Sequence, residues 1–174
     1  MNLYLRLIRV VVAALAGARL GPFDPGAVSF RVWPLDLDAN MHLNNGRYLA
    51  LMDLGRVDLM LRSGLARGLW RRRWTPVLGA AQVRFRRPVP PFARVVLRTR
   101  LVGWEDRWVY LDQRIERADG TLAAHALLRA AFVGRDGTVP GDKVAALMGL
   151  NRSPPLPDAV HAWTRADSAM RELG

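Results

Sequence analysis

The sequence predicts an α+β fold in which an antiparallel sheet of about five strands wraps around one long central helix. Three observations predict it. A polar loop beginning at Trp33 runs directly into an apolar-rich helical stretch that ends near Leu65. The segments after it alternate apolar and polar residues with the period of half-buried strands. The helix itself is apolar on most sides, and a sheet with one apolar face is the economical wrapping for such a helix.

Residues 1–20, MNLYLRLIRVVVAALAGARL, set Arg6 and Arg9 on one helical face, with Leu3, Leu5, Leu7 and a nine-residue uncharged run from Val10 to Ala18 around them. That run is too short to span a bilayer, which takes about twenty residues. A membrane-interfacial or protein-docked amphipathic helix, a signal peptide and an ordinary buried helix all fit the pattern. With the turn-rich linker that follows, residues 1–26 form an N-terminal segment ahead of a principal domain at 27–150.

A first strand is predicted over 27–33, where Val28, Phe30 and Val32 alternate with Ser29 and Arg31. The long helix opens at Asn44 or Asn45, either of which serves as N-cap, and carries an Asp58 to Arg62 pair at the favourable four-residue spacing. Gly55 in its middle costs about 1 kcal/mol relative to alanine and points to another backbone passing close by. Residues 67–74 read as a basic connection. Strands follow over 76–88, 92–102, 108–117 and 121–134, with Asp119-Gly120 as the turn of the last hairpin. A short helix at 144–150 ends the domain. Residues 151–174 begin with the Pro-rich NRSPPLPD and read as a C-terminal tail, with 159–173 either a weak helix or mobile.

The 174 residues suffice for one domain with a full core. Cysteine is absent, which excludes disulfides, thiol nucleophiles and cysteine-ligated metals. Only His42, His125 and His161 remain as imidazoles, scattered singly, so no histidine-rich metal site is expected. Twenty-six basic against fifteen acidic residues give a net charge of +11, and Lys143 is the only lysine. Nucleic acid, anionic lipid and phosphorylated cofactors such as coenzyme A all suit that sign, although codon bias also enriches arginine.

The densest cluster of polar chemistry lies between the first strand and the helix, where Asp36, Asp38, Asn40, His42, Asn44 and Asn45 fall within ten residues. The run Asp36-Leu37-Asp38-Ala39-Asn40-Met41-His42-Leu43-Asn44-Asn45-Gly46-Arg47-Tyr48 resembles the D-x-D-x-x-x-H-x-N-N-x-x-Y signature of the hotdog-fold acyl-CoA thioesterases, in their 4-hydroxybenzoyl-CoA thioesterase-like branch. Asp53, Arg56 and the 83–88 strand continue the likeness, which covers roughly residues 27–135. Met41 stands where the family often has glycine.

The resemblance implies a hotdog fold and a thioester hydrolase that needs no cofactor. It places Asp38 at the catalytic position, as nucleophile or general base. Without it, an aspartate in such a loop reads as a cap or turn residue. The backbone amides of Asn45 and Gly46, free because they open the helix, are expected to polarise the thioester carbonyl. Asp36 is expected to brace the loop, His42 and Tyr48 to contact substrate or to pack, and Asp53 to serve as reserve catalyst or as the ion-pair partner of Arg56. Arg84, Arg86 and Arg87, and also Arg71 to Arg73, are candidates for the CoA phosphates. Met52, Trp70, Trp74, Trp104 and Trp108 are candidates for an acyl tunnel, with core packing as their default reading.

A dimer or dimer of dimers, with active sites between subunits, is also implied. The expected location is the cytoplasm, with peripheral contact to the inner face of a membrane through residues 1–20. The competing function is a catalytically weak hotdog module that binds acyl groups or assembles at membranes. Nucleic-acid binding has charge in its favour but no motif.

Overall fold

The computed structural model describes residues 3–171. The described residues form helix α1 (Leu3–Ala16), strand β1 (Gly26–Arg31), the central helix α2 (Asn45–Arg62), helix α3 (Leu65–Arg72), strands β2 (Thr75–Phe85), β3 (Arg94–Glu105), β4 (Trp108–Arg117), β5 (Leu122–Gly134) and β6 (Gly137–Val139), and helices α4 (Gly141–Ala146) and α5 (Asp158–Arg171). The sheet is antiparallel throughout, in the order β1-β3-β4-β5-β2, with β6 hairpinned onto β5. It curls around α2 as expected, with one strand more than the sequence suggested.

Helix α2 is set by its ends and by its burial. Asn44 is the N-cap, its side chain accepting the Gly46 amide, and Ser63 closes the C-terminus. Tyr48, Leu51, Met52, Leu54, Gly55, Asp58 and Leu59 make one broad buried face. At Gly55 a Cβ would lie 2.5 Å from Leu97 Cδ2 and from Thr99 Oγ1, so the close neighbours are side chains of β3 rather than another backbone. The buried Gln113 of β4 ties the sheet to the helix, donating to Met52 O at 2.9 Å and to Thr99 Oγ1 at 2.7 Å.

One segment differs from the sequence expectation, and two others each take one of the forms it left open. Residues 67–74, read as a basic connection, lie largely in α3, whose Leu65 and Leu69 are buried in a second core with Trp104, Phe132 and Val144. Helix α1 is docked on the protein, packing through Leu3, Leu7 and Val10 onto the core around α2. Arg6, read from the sequence as sharing a helical face with Arg9, is 3% exposed.

The C-terminal segment is ordered into α5, which lies on the outer face of the sheet. Tyr110 Oη and Thr164 Oγ1 stand 3.3 Å apart, and Arg129 donates to Asp167 at 2.6 Å while its guanidinium lies over both Trp108 and Trp163. Residues 151–157 remain irregular, as the prolines require, and Ser153 Oγ accepts the Trp104 amide at 2.9 Å.

Candidate active site

The loop that leads into α2 is braced from both sides. Asp36 ends a single 3-10 turn (Pro34–Asp36) and is 1% exposed. Its carboxylate accepts the Trp33 amide at 2.9 Å and the Arg6 guanidinium at 3.0 and 2.5 Å, while its carbonyl accepts the Asn44 amide at 2.8 Å. Asp36 is therefore a brace, and the residue that completes it comes from α1.

Asp38 sits in the next turn, half-buried. Its Oδ1 accepts the Asn40 amide at 2.9 Å and the His42 amide at 3.2 Å, and its own amide donates to His42 O at 2.8 Å. Two amides on one oxygen hold the carboxylate in a fixed direction. Met41 makes the turn possible with φ +58, a conformation that glycine takes more readily. Tyr48, buried on the first turn of α2, has its hydroxyl pushed above the ordinary phenol range, first by burial and then by the neighbouring Asp38 charge. His42 meets Asp38 through its backbone.

The helix start supplies fewer donors than expected. The Gly46 amide, expected to be free, donates to Asn44 Oδ1 at 2.8 Å because Asn44 is the cap. The Asn45 amide has no acceptor among the described residues and remains the donor at the positive end of the helix.

An apolar cavity of about 310 Å³ runs along α2 beyond this point, lined by Val57, Met60, Val77, Leu111 and Phe132 among others. Asp53 and Arg56 are its charged members. Arg56 donates to Asp53 and, at 2.9 Å, to Gln113 Oε1. Burial pulls the Arg56 guanidinium below its ordinary value, and the Asp53 charge opposes that shift. None of Met52, Trp70, Trp74, Trp104 and Trp108 lines this cavity: Met52 and Trp104 are core, Trp70 is 85% exposed, and Trp108 lies against Arg129.

Asp38 meets the His42 backbone and acts on the Tyr48 hydroxyl, the Asn45 amide opens the helix that carries Tyr48, and Asp53 lies farther along that helix. Arg84 is not with them within one chain. Phe85 meets the Tyr48 ring edge-on at 5.1 Å, so strand alternation turns Arg84 to the opposite face, in register with His125. Arg86 and Arg87 are exposed just past the strand end, both amides bonded to Ala123 O. The site residue that sequence reasoning missed is Arg6. Its only signal was a charge inside an apolar helix, and its partner Asp36 lies 30 residues away.

With this geometry in view, the likeness to known proteins defines the class. The family described as the Thioesterase-like superfamily matches residues 32–164, and the chain belongs to it. The fold and family together are those of a hotdog-fold thioesterase. Among relatives, the chain is 32% identical to Protein THEM6 of Xenopus laevis over 82% of its own length and 69% of that protein, and 38% identical to Protein THEM6 of Drosophila melanogaster over 49% and 45%. The match thus spans less than half of the fly relative. Among solved structures, the probable thioesterase YbaW of Escherichia coli superposes with a TM-score of 0.65 at 20% identity, covering 70% of this chain and 97% of that one.

Proposed function

We propose that the protein hydrolyses acyl-CoA thioesters to a free acid and coenzyme A, with Asp38 as the reacting carboxylate. The observation that carries this reading is the fixed orientation of Asp38 beside the start of α2. Oδ1 is held by two loop amides, which leaves Oδ2 without a partner among the described residues. As nucleophile, Oδ2 adds to the thioester carbonyl, the thiolate leaves, and water cleaves the resulting anhydride. As general base, the same oxygen takes a proton from the attacking water. In either route the carbonyl oxygen gathers negative charge, and the Asn45 amide at the helix N-terminus stabilises it.

Gly46 serves this site by keeping the first turn bare of a side chain, and Tyr48 with His42 shapes its wall. Arg86 and Arg87 are the arginines placed to meet CoA phosphates, and Arg84 does so only across an assembled interface. The apolar cavity along α2 takes the acyl group. A homodimer is part of the reading: β2 is an edge strand exposed over nearly its whole length, including Val77, Leu78 and Phe85.

A second assignment rests on the position of Asp53, which lines the cavity while Asp38 does not. There the carboxylate on α2 acts as base and Asp38 is a turn residue. Release of free thiol from a panel of acyl-CoAs separates the two. Loss of turnover in Asp38→Asn with near-normal rates in Asp53→Asn supports the first, and the reverse pattern supports the second. No thiol release from any chain length leaves an acyl-binding module in place of an enzyme.

A further inference from the structure

Helix α1 is apolar on two opposite sides, and only one of them is used. The buried side is Leu3, Arg6, Leu7, Val10 and Ala14. On the other, Leu5, Ile8, Val12 and Leu15 are 55%, 58%, 62% and 72% exposed. At the α-helical rotation per residue these four fall within an arc of about 80°. The stripe does not end with the helix. Leu15 lines one surface depression together with Trp70 of α3, and Arg19 and Arg67 stand in the same depression. Trp70 is 85% exposed, more than any other large apolar side chain among the described residues.

Charge separates this face from an ordinary sticky patch. No acidic residue occurs before Asp24, and none between Asp58 and Glu105, so both helices of the face lie in stretches whose only charges are arginines. An apolar surface that carries an outward tryptophan, in a depression whose charged residues are all arginines, is complementary to a layer that is apolar inside and anionic at its boundary. Among the described residues no helix is long and apolar enough to cross a membrane. We propose that α1 and α3 together form a docking face for an anionic lipid surface. The aliphatic stripe enters the acyl boundary, Trp70 lies at headgroup level, and Arg19, Arg67 and Arg71 meet lipid phosphates. Arg6 takes no part, because it is buried against Asp36 on the far side of α1.

The face is distinct from the proposed site, and its test does not depend on hydrolysis. The full chain is sedimented with vesicles of phosphatidylcholine containing phosphatidylglycerol, and with phosphatidylcholine alone, at low and high salt. Binding to the anionic vesicles is expected, weakening at high salt. Ile8→Glu and Trp70→Ala change only exposed side chains, and each is expected to lower vesicle affinity about tenfold while circular dichroism stays unchanged. Absence of binding, or binding that both variants leave intact, overturns the proposal. So does a solution mass that falls from dimer to monomer in Ile8→Glu without lipid, which would show that a second copy covers the face.

Discussion

The guanidinium of Arg6 and the carboxylate of Asp36 form a buried pair that joins the first helix to the loop in front of α2, both side chains being almost wholly withdrawn from solvent. Arg6 Nη2 also donates to Arg31 O at 3.0 Å, but Arg6 Nε has no acceptor among the described residues, so the pair is strong without being fully satisfied. Removing Arg6 leaves the buried Asp36 charge with only the Trp33 amide and, 3.8 Å away, the exposed Arg47. Arg6→Met is expected to lower unfolding free energy by about 3–5 kcal/mol, and Arg6→Met with Asp36→Leu to recover much of that loss. Urea titration of the three chains measures both effects, and a double variant no more stable than the single one would contradict the pairing.

One Asp38 oxygen is held by the loop, and the proposed chemistry falls to the other. Asparagine retains the acceptor for the Asn40 and His42 amides, so Asp38→Asn should unfold within about 1 kcal/mol of the parent. Under the proposed assignment its turnover should fall about a thousandfold, because the carboxylate assigned to the reaction is gone. Asp38→Ala loses the acceptor as well and should show a further drop in stability of about 1 kcal/mol. Calorimetry beside a thiol-release assay distinguishes the two variants.

Gly55 has no room for a side chain, with Leu97 and Thr99 each 2.5 Å from where a Cβ would stand. Gly55→Ala improves helix propensity by up to about 1 kcal/mol, yet overpacking is expected to win, with a net loss of about 1–3 kcal/mol. A rise in the denaturation midpoint would mean that β3 yields more easily than its packing implies.

Asp58 is buried on α2, with Arg62 3.6 Å away and its Oδ2 without a hydrogen bond among the described residues. Burial pushes its carboxyl above the ordinary value of 3.8, and Arg62 only partly offsets that shift. The folded state therefore holds this proton more tightly than the unfolded chain. The stability it contributes is complete below pH 3.8 and is lost as pH rises toward the raised folded value. Asp58→Asn should flatten that part of the pH–stability curve and raise stability at neutral pH by about 1 kcal/mol. An unchanged curve would place the acid's contribution elsewhere.

The sheet and the central helix were legible because each carries its own period. Val95, Leu97 and Thr99 alternate on β3 and are all buried, and Asn44 caps α2 in the polar run that marked its start. The Asp38 loop was legible as a signature, although which amides stay free was not, because either asparagine could cap and each choice occupies a different donor. Helix α1 was legible as a helix but not in its orientation. Apolar residues at α-helical spacing on both sides leave the buried one undetermined, and Arg6 reads as solvent-facing until Asp36 is seen beside it. Helix α3 was hidden by its arginines, with only Leu65 and Leu69 turned inward.

The place of Arg129 between Trp108 and Trp163 bears on how this chain is cut for experiments. The family match runs to residue 164, inside α5, and Arg129 sits on β5 with 3% exposure beneath that helix. A deletion ending at the last proline of the irregular stretch would strip off Trp163 and Asp167 together, and uncover a cation and Tyr110 on what had been a sealed surface. Trimming the C-terminus to obtain a tidier crystallisation target should yield a protein that clumps, whereas a fusion joined after residue 171 leaves the seal whole.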